Sequence, residues 1–183
     1  HEVGHTLGFA HNFAASANDR ASVMDYPAPL VTVGDDGALD FSSAYDVGIG
    51  EWDKVAATWL YAQYPDGADA GTEGDKVLRA AYASGLRFVD DAQGRGLGTS
   101  HPYASVWDNG NDPIAALNET MRVRKVALGR FGLDVIRAGE PTYDLRAVLV
   151  PVYLYHRYEV AAAAKSIGGY DFRYSVRGDD GQA

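Results

Sequence analysis

His1-Glu2-Val3-Gly4-His5-Thr6-Leu7-Gly8-Phe9-Ala10-His11 opens the chain and decides how the rest is read. At helical spacing His1 and His5 lie four residues apart, so their imidazoles leave one face at adjacent turns and two nitrogens reach one ion. Gly8 suits the left-handed turn that ends such a helix, and that turn brings His11 back as a third ligand. Glu2 sits one position after His1, close enough to a water at the metal to take its proton without being a ligand itself. Three neutral imidazoles leave zinc an open position for water, which is the arrangement of hydrolytic sites. With this composition the full pattern arises by accident on the order of once in 80,000 such chains. Two plainer readings of the same residues are a polar helix with solvated histidines and a closed structural zinc site. The second usually takes four protein ligands.

The remaining composition narrows the chemistry. A chain of 183 residues with 46% hydrophobic residues has enough apolar surface for one ordinary domain, which excludes a disordered chain. It has no cysteine, so disulfides, thiol catalysis and thiolate ligands are excluded and any metal must be held by nitrogen and oxygen. Net charge is −9, and residues 1–91 carry 15 acidic against 5 basic side chains. Such acidity argues against nucleic acid or an anionic membrane as partner. No apolar run approaches the roughly 18 residues of a membrane span. No signal peptide is legible ahead of His1. Because the first five residues carry chemistry with nothing before them to hold it, the chain reads as a piece of a longer protein.

The pattern His1-Glu2-x-x-His5-x-x-Gly8-x-x-His11 resembles the metzincin zinc-binding consensus, and Ser22-Val23-Met24-Asp25-Tyr26 resembles the Met-turn of that clan. The resemblance implies that Met24 supports the three imidazoles from below. It also implies that Tyr26, as in astacins and serralysins, stands near zinc and hydrogen-bonds the oxyanion; a buried structural tyrosine is the alternative. Further stretches are similar to a family of large bacterial proteins described as zinc-dependent metalloproteases, whose C-terminal regions are otherwise domains of unknown function. These are Tyr45-Asp46-Val47-Gly48-Ile49-Gly50-Glu51-Trp52-Asp53, Trp107-Asp108-Asn109-Gly110, the run from Leu149 to Tyr158, and Gly168-Gly169-Tyr170. That likeness covers nearly the whole chain and implies an exported bacterial peptidase, periplasmic, cell-surface or secreted.

Beyond the motif, residues 12–45 read as loop, with a small hairpin around Gly34-Asp35-Asp36-Gly37. Its acidic pair is a solvated turn or, less simply, a Ca2+ ligand pair. Apolar spacing predicts a helix from Asp46 or Gly50 to about Tyr64, whose Trp52 and Trp59 are core or line a peptide pocket. A linker follows from Asp66 to Gly74, then a short helix capped by Thr72 with Asp75 and ending before Gly85. Leu86–Val89 reads as a strand and residues 90–100 as a long glycine-rich connection or lid. His101 reads as a surface or loop-anchoring residue, the alternative being a group close behind the zinc ligands or an oxyanion donor. Asp112 and Pro113 start a helix, which also accounts for the oxygen-rich run from Asp108 without Ca2+. Its apolar stripe runs Ile114, Leu117, Met121, Leu128, Phe131, Val135. A second long helix spans about 142–167, kinked or restarted at Pro151, and His156 on its apolar face reads as a hydrogen-bonded core histidine. Residues 170–174 alternate as a terminal strand, and Arg177-Gly178-Asp179 is a chance match to a cell-adhesion tripeptide.

The expected fold is mainly α: residues 1–64 form the lower, C-terminal half of a metzincin-like catalytic domain and residues 65–183 a helical C-terminal region with a few short strands. The expected function is a zinc endopeptidase acting on peptide or protein substrates. His1, His5 and His11 hold Zn2+, Glu2 is the general base, and Gly8 and Met24 support the site. In metzincins the substrate lies along a sheet edge upstream of the zinc helix, so the upstream part of the same polypeptide is an expected partner. The 183 residues alone are expected to be inactive and to bind zinc poorly. The rival expectations are a surface assembly domain with a vestigial or structural zinc site, and a zinc hydrolase of a non-peptide bond.

Overall fold

The computed structural model describes residues 1–96 and 98–177; Leu97, in the glycine-rich stretch, and Gly178 and Asp179 of the adhesion-like tripeptide lie outside the described residues. The chain is mainly helical, as expected. Its helices are α1 (Glu2–Thr6), α2 (Glu51–Tyr61), α3 (Ala70–Ala83), α4 (Asp91–Gly94), α5 (Pro113–Gly129), α6 (Leu145–Tyr153) and α7 (Arg157–Ala164). Two short antiparallel strands, β1 (Thr32–Val33) and β2 (Leu39–Asp40), pair Thr32 with Asp40 and Val33 with Leu39. Among the described residues, no helix is long and apolar enough to cross a membrane.

The core lies beside the opening motif. Phe13, Ala14, Val89 and Ala104 form one buried cluster, against which Tyr26 and Val106 pack. Ala15, Ala21, Trp52 and Ala81 form a second, closed by Leu78, Tyr82 and Phe88 where α2 meets α3. Trp52 stacks on Phe88 with ring centroids 5.2 Å apart. Trp52 is therefore core, while Trp59 is half exposed and lines a cavity of about 750 Å3 between α2, α3 and the Gly8–Ala10 turn.

Several local expectations are corrected. Asp69, not Thr72, caps α3, because its carboxylate accepts from the Thr72 backbone N–H, so the helix starts at Ala70 inside the presumed linker. Residues 86–89 are not a strand. Three of their backbone groups pair with side chains instead: Asn18 Oδ1 accepts from Arg87 N, Asn12 Oδ1 accepts from Val89 N, and Asn12 Nδ2 donates to Arg87 O. The stretch after it begins with α4, capped by Asp90. Of the two outcomes expected at Pro151, a kink or a restart, the helix takes the restart, breaking at 154–156. Pro151 removes a donor inside α6, which stops two residues later, and α7 begins afresh at Arg157. Residues 170–174 form no strand.

Asp112 and Pro113 do start α5, the Asp112 carboxylate accepting from Ile114 and Ala115. The stripe predicted for α5 is not a buried face, since Ile114 and Met121 are both exposed and Val123 is the buried residue. The helix packs against four elements, β1, β2, α6 and α7, rather than against one core. In the hairpin, Asp36 accepts from Ala38 N as turn chemistry requires. Glu119 of α5 accepts from Val33 N and holds β1 to the helix.

Candidate metal centre

α1 ends in a Schellman turn built on Gly8. The Gly8 N–H donates to His5 O, the Phe9 N–H donates to Gly4 O, both at 3.0 Å, and Gly8 has φ +86°. This left-handed residue reverses the chain and returns His11 to the histidines of α1. A ligating nitrogen of each of His1, His5 and His11 lies within 4.8 Å of the others, the one such group of three among the described residues.

The tautomers follow from the acceptors. His1 Nδ1 lies 2.7 Å from Val23 O and His5 Nδ1 lies 3.0 Å from Phe9 O. A carbonyl only accepts, so both nitrogens carry the proton and donate, leaving Nε2 with its lone pair. His11 Nδ1 lies 2.7 Å from Asp91 Oδ2, again a donor facing an acceptor. The Nε2 atoms of His5 and His11 are then 3.2 Å apart with lone pairs facing, and His1 Nε2 is buried without a partner. Such an arrangement wants a cation between the rings. Three imidazole nitrogens, with no thiolate available in the chain, fit zinc.

Glu2 is exposed in the first turn of α1, next to His1. Beneath the helix, Met24 is buried so close that a Cβ on Gly4 would collide with its sulfur. Position 4 therefore needs glycine for close approach rather than for flexibility. Tyr26 stands with its ring 4.3 Å from that of His1 and 5.1 Å from that of His11.

The segment carrying Met24 and Tyr26 is held from two sides. Asp53, in the first turn of α2, accepts from Ser22 Oγ (2.6 Å), Val23 N (2.9 Å) and Gly50 N (2.7 Å). Asp25 accepts from Ser16 N and Tyr26 N, and Ser16 Oγ donates to Asp108. Burial pushes the Asp25 carboxyl up to about 7. Burial, then the neighbouring Asp25 and Glu159 charges, push Asp108 well above the ordinary range, and burial pushes Glu159 to about 7.

Three supporting residues escaped the sequence reading. Asn12 lay at the start of the stretch read as loop, yet its fully buried amide brackets residues 14, 87 and 89. Asp53 carried one faint signal, an acid in the first turn after Gly50. Asp91, 80 positions from His11, carried none. Its partial burial works to raise the carboxyl, but the hydrogen bond from His11, with the Arg95 guanidinium, outweighs this and holds it below its usual value. His101 is a loop anchor as read, but a buried one: its ring meets Phe172 O and the Tyr103 N–H. His156 Nδ1 is buried without a hydrogen-bond partner, against the hydrogen-bonded core histidine expected.

No curated protein and no solved structure matches the chain. The family model described as Met-zincin matches residues 1–183, so the chain belongs to the Met-zincin family and is related to the metzincin-type zinc metalloproteases.

Proposed function

We propose that the chain supplies the zinc site of an endopeptidase that cuts peptide or protein substrates, with His1, His5 and His11 as the ligands. Residues 1–64 then correspond to the lower half of the catalytic domain and residues 65–183 to a helical region behind it. The observation that carries this reading is the set of three Nε2 atoms converging while each Nδ1 is tied to an acceptor. When bound there, zinc supplies Lewis acidity, polarising a scissile carbonyl and lowering the pKa of water toward about 7.

The chain's own residues do the rest. Glu2, exposed beside His1, takes the proton of the attacking water and hands it to the leaving amine. Tyr26, its ring beside those of His1 and His11, donates its hydroxyl to the charge that develops on the carbonyl oxygen. Met24, packed under Gly4, and the Gly8 turn hold the imidazoles in register. The Ser22–Tyr26 segment acts here as the Met-turn.

The test is Glu2→Gln in the natural protein, assayed against a broad peptide library alongside metal content. The expected result is one zinc per chain retained and hydrolysis reduced by about 10²–10⁴-fold. Undiminished cleavage would sink the role of Glu2. A wild-type protein that holds zinc but cuts no peptide would transfer the site to a non-peptide hydrolase or an assembly domain.

A further inference from the structure

The three imidazoles are not held alike. His1 and His5 lean on backbone carbonyls of Val23 and Phe9, which come with the turns that build the site. His11 lies past the Schellman turn, outside α1, and its Nδ1 meets the one charged acceptor among the three, Asp91 Oδ2 at 2.7 Å. We infer that Asp91 is the positioning residue of the third ligand, its carboxylate fixing the tautomer and ring orientation in which His11 presents Nε2 to the metal. The inference rests on the zinc-site reading above and extends it to a residue on a separate element.

The placement of Asp91 is determined by more than this contact. Asp91 is the first residue of α4, and Asp90 caps that helix by accepting from Ala92 N. α4 is clamped to the stretch that carries His11, since Phe13 N donates to Val89 O at 2.8 Å and a Cβ on Gly94 would meet Phe13 at 2.7 Å. Arg95, one turn later, engages the other carboxylate oxygen of Asp91 at 3.4 Å and leaves Oδ2 to His11. The same guanidinium lies 5.9 Å from the Tyr26 ring, so α4 borders both the third ligand and the proposed oxyanion donor. A carboxylate behind a ligating imidazole orients the ring and makes it a stronger donor, and losing such a partner typically costs about 10–100-fold in metal affinity.

The experiment measures zinc affinity of the natural protein by competition with a chromophoric chelator, and the visible spectrum after cobalt substitution. Asp91→Ala is expected to weaken zinc binding about 10–100-fold and to alter the cobalt bands. Asp91→Asn, which keeps an acceptor oxygen but no charge, is expected to fall between and to restore most of the spectrum. Asp90→Ala removes the cap of α4 while leaving the Asp91 carboxylate, and is expected to stay within about threefold of wild type. Asp91→Ala binding zinc as tightly as wild type would overturn the assignment while leaving the zinc-site reading intact. So would Asp90→Ala losing as much affinity as Asp91→Ala, since that outcome assigns the effect to α4 as a whole. A wild-type protein that binds no zinc would overturn both.

Discussion

Between Asn12 and Asp25 the chain has a single 3-10 turn of regular structure, yet Asn12, Phe13, Ala14, Ala15, Ser16, Met24 and Asp25 are all buried. Helices α5, α6 and α7 are regular for most of their length and bury only Val123, Glu159, Ala162 and Ala163. A helix pairs its own backbone groups, so it persists with little around it. An irregular buried segment must find a partner for every N–H and C=O elsewhere. Here Asp53 provides a partner for Val23 N from 30 residues away, and the segment's own Asn12 and Asn18 do the same for the backbone of Arg87, 75 and 69 residues away. Regularity and burial have thus separated in this molecule. The candidate metal site sits on the irregular, buried side, where position is fixed by a few polar side chains.

Asn12→Ala tests that contrast most severely. It strips the partner from Arg87 O, Ala14 N and Val89 N, all close to the core. With about 1–3 kcal/mol for each buried group left unpaired, and some relaxation, the expected loss is about 3–5 kcal/mol in urea unfolding. A loss under about 1 kcal/mol would mean the irregular region is held by packing alone.

The second prediction joins the two regions, because Asp25 from the first and Glu159 from α7 both face Asp108. Burial holds Asp25 and Glu159 at about 7, above their ordinary 3.8 and 4.5. Between those values the folded chain binds protons that the unfolded chain has released. Their contribution is therefore greatest below about pH 4 and is lost as pH rises through about 7. Glu159→Gln is neutral throughout and keeps an oxygen for the Asn109 N–H. It is expected to raise Tm by about 2–4 °C at alkaline pH and to flatten the decline of Tm with pH. An unchanged slope would show that Glu159 does not share in this burial of charge.

Met121→Ala gives the smallest effect. The side chain is 42% exposed in the middle of α5, and alanine is as good a helix former, so stability is expected to move by no more than about 0.5 kcal/mol. A larger loss would show that the predicted stripe on α5 is covered after all.

Legibility in the sequence follows the same division. The Gly8 turn, the Asp112–Pro113 helix start and the 34–37 hairpin were readable because each depends on residues within about five positions of one another. The strand expected at 86–89 failed for the opposite reason. Its apolar run was real, but its backbone pairs with the side chains of Asn12 and Asn18 rather than with another strand. The cap of α3 shows a nearer competition, in which Asp69 and Thr72 were both suitable and only the folded chain selected Asp69.

By itself the sequence determined the candidate ligand set and its spacing. Three histidines at positions 1, 5 and 11, a glycine at 8 and no cysteine leave little freedom in which atoms meet a metal, because helix pitch and a left-handed turn are local properties. Only the tertiary structure decided what stands behind those atoms. Asp91 on His11 and Asp53 on the Ser22–Val23 backbone are contacts between residues 30 to 80 positions apart. Contacts at such separations form only once the core brings the segments together, and no period or spacing in the chain encodes them.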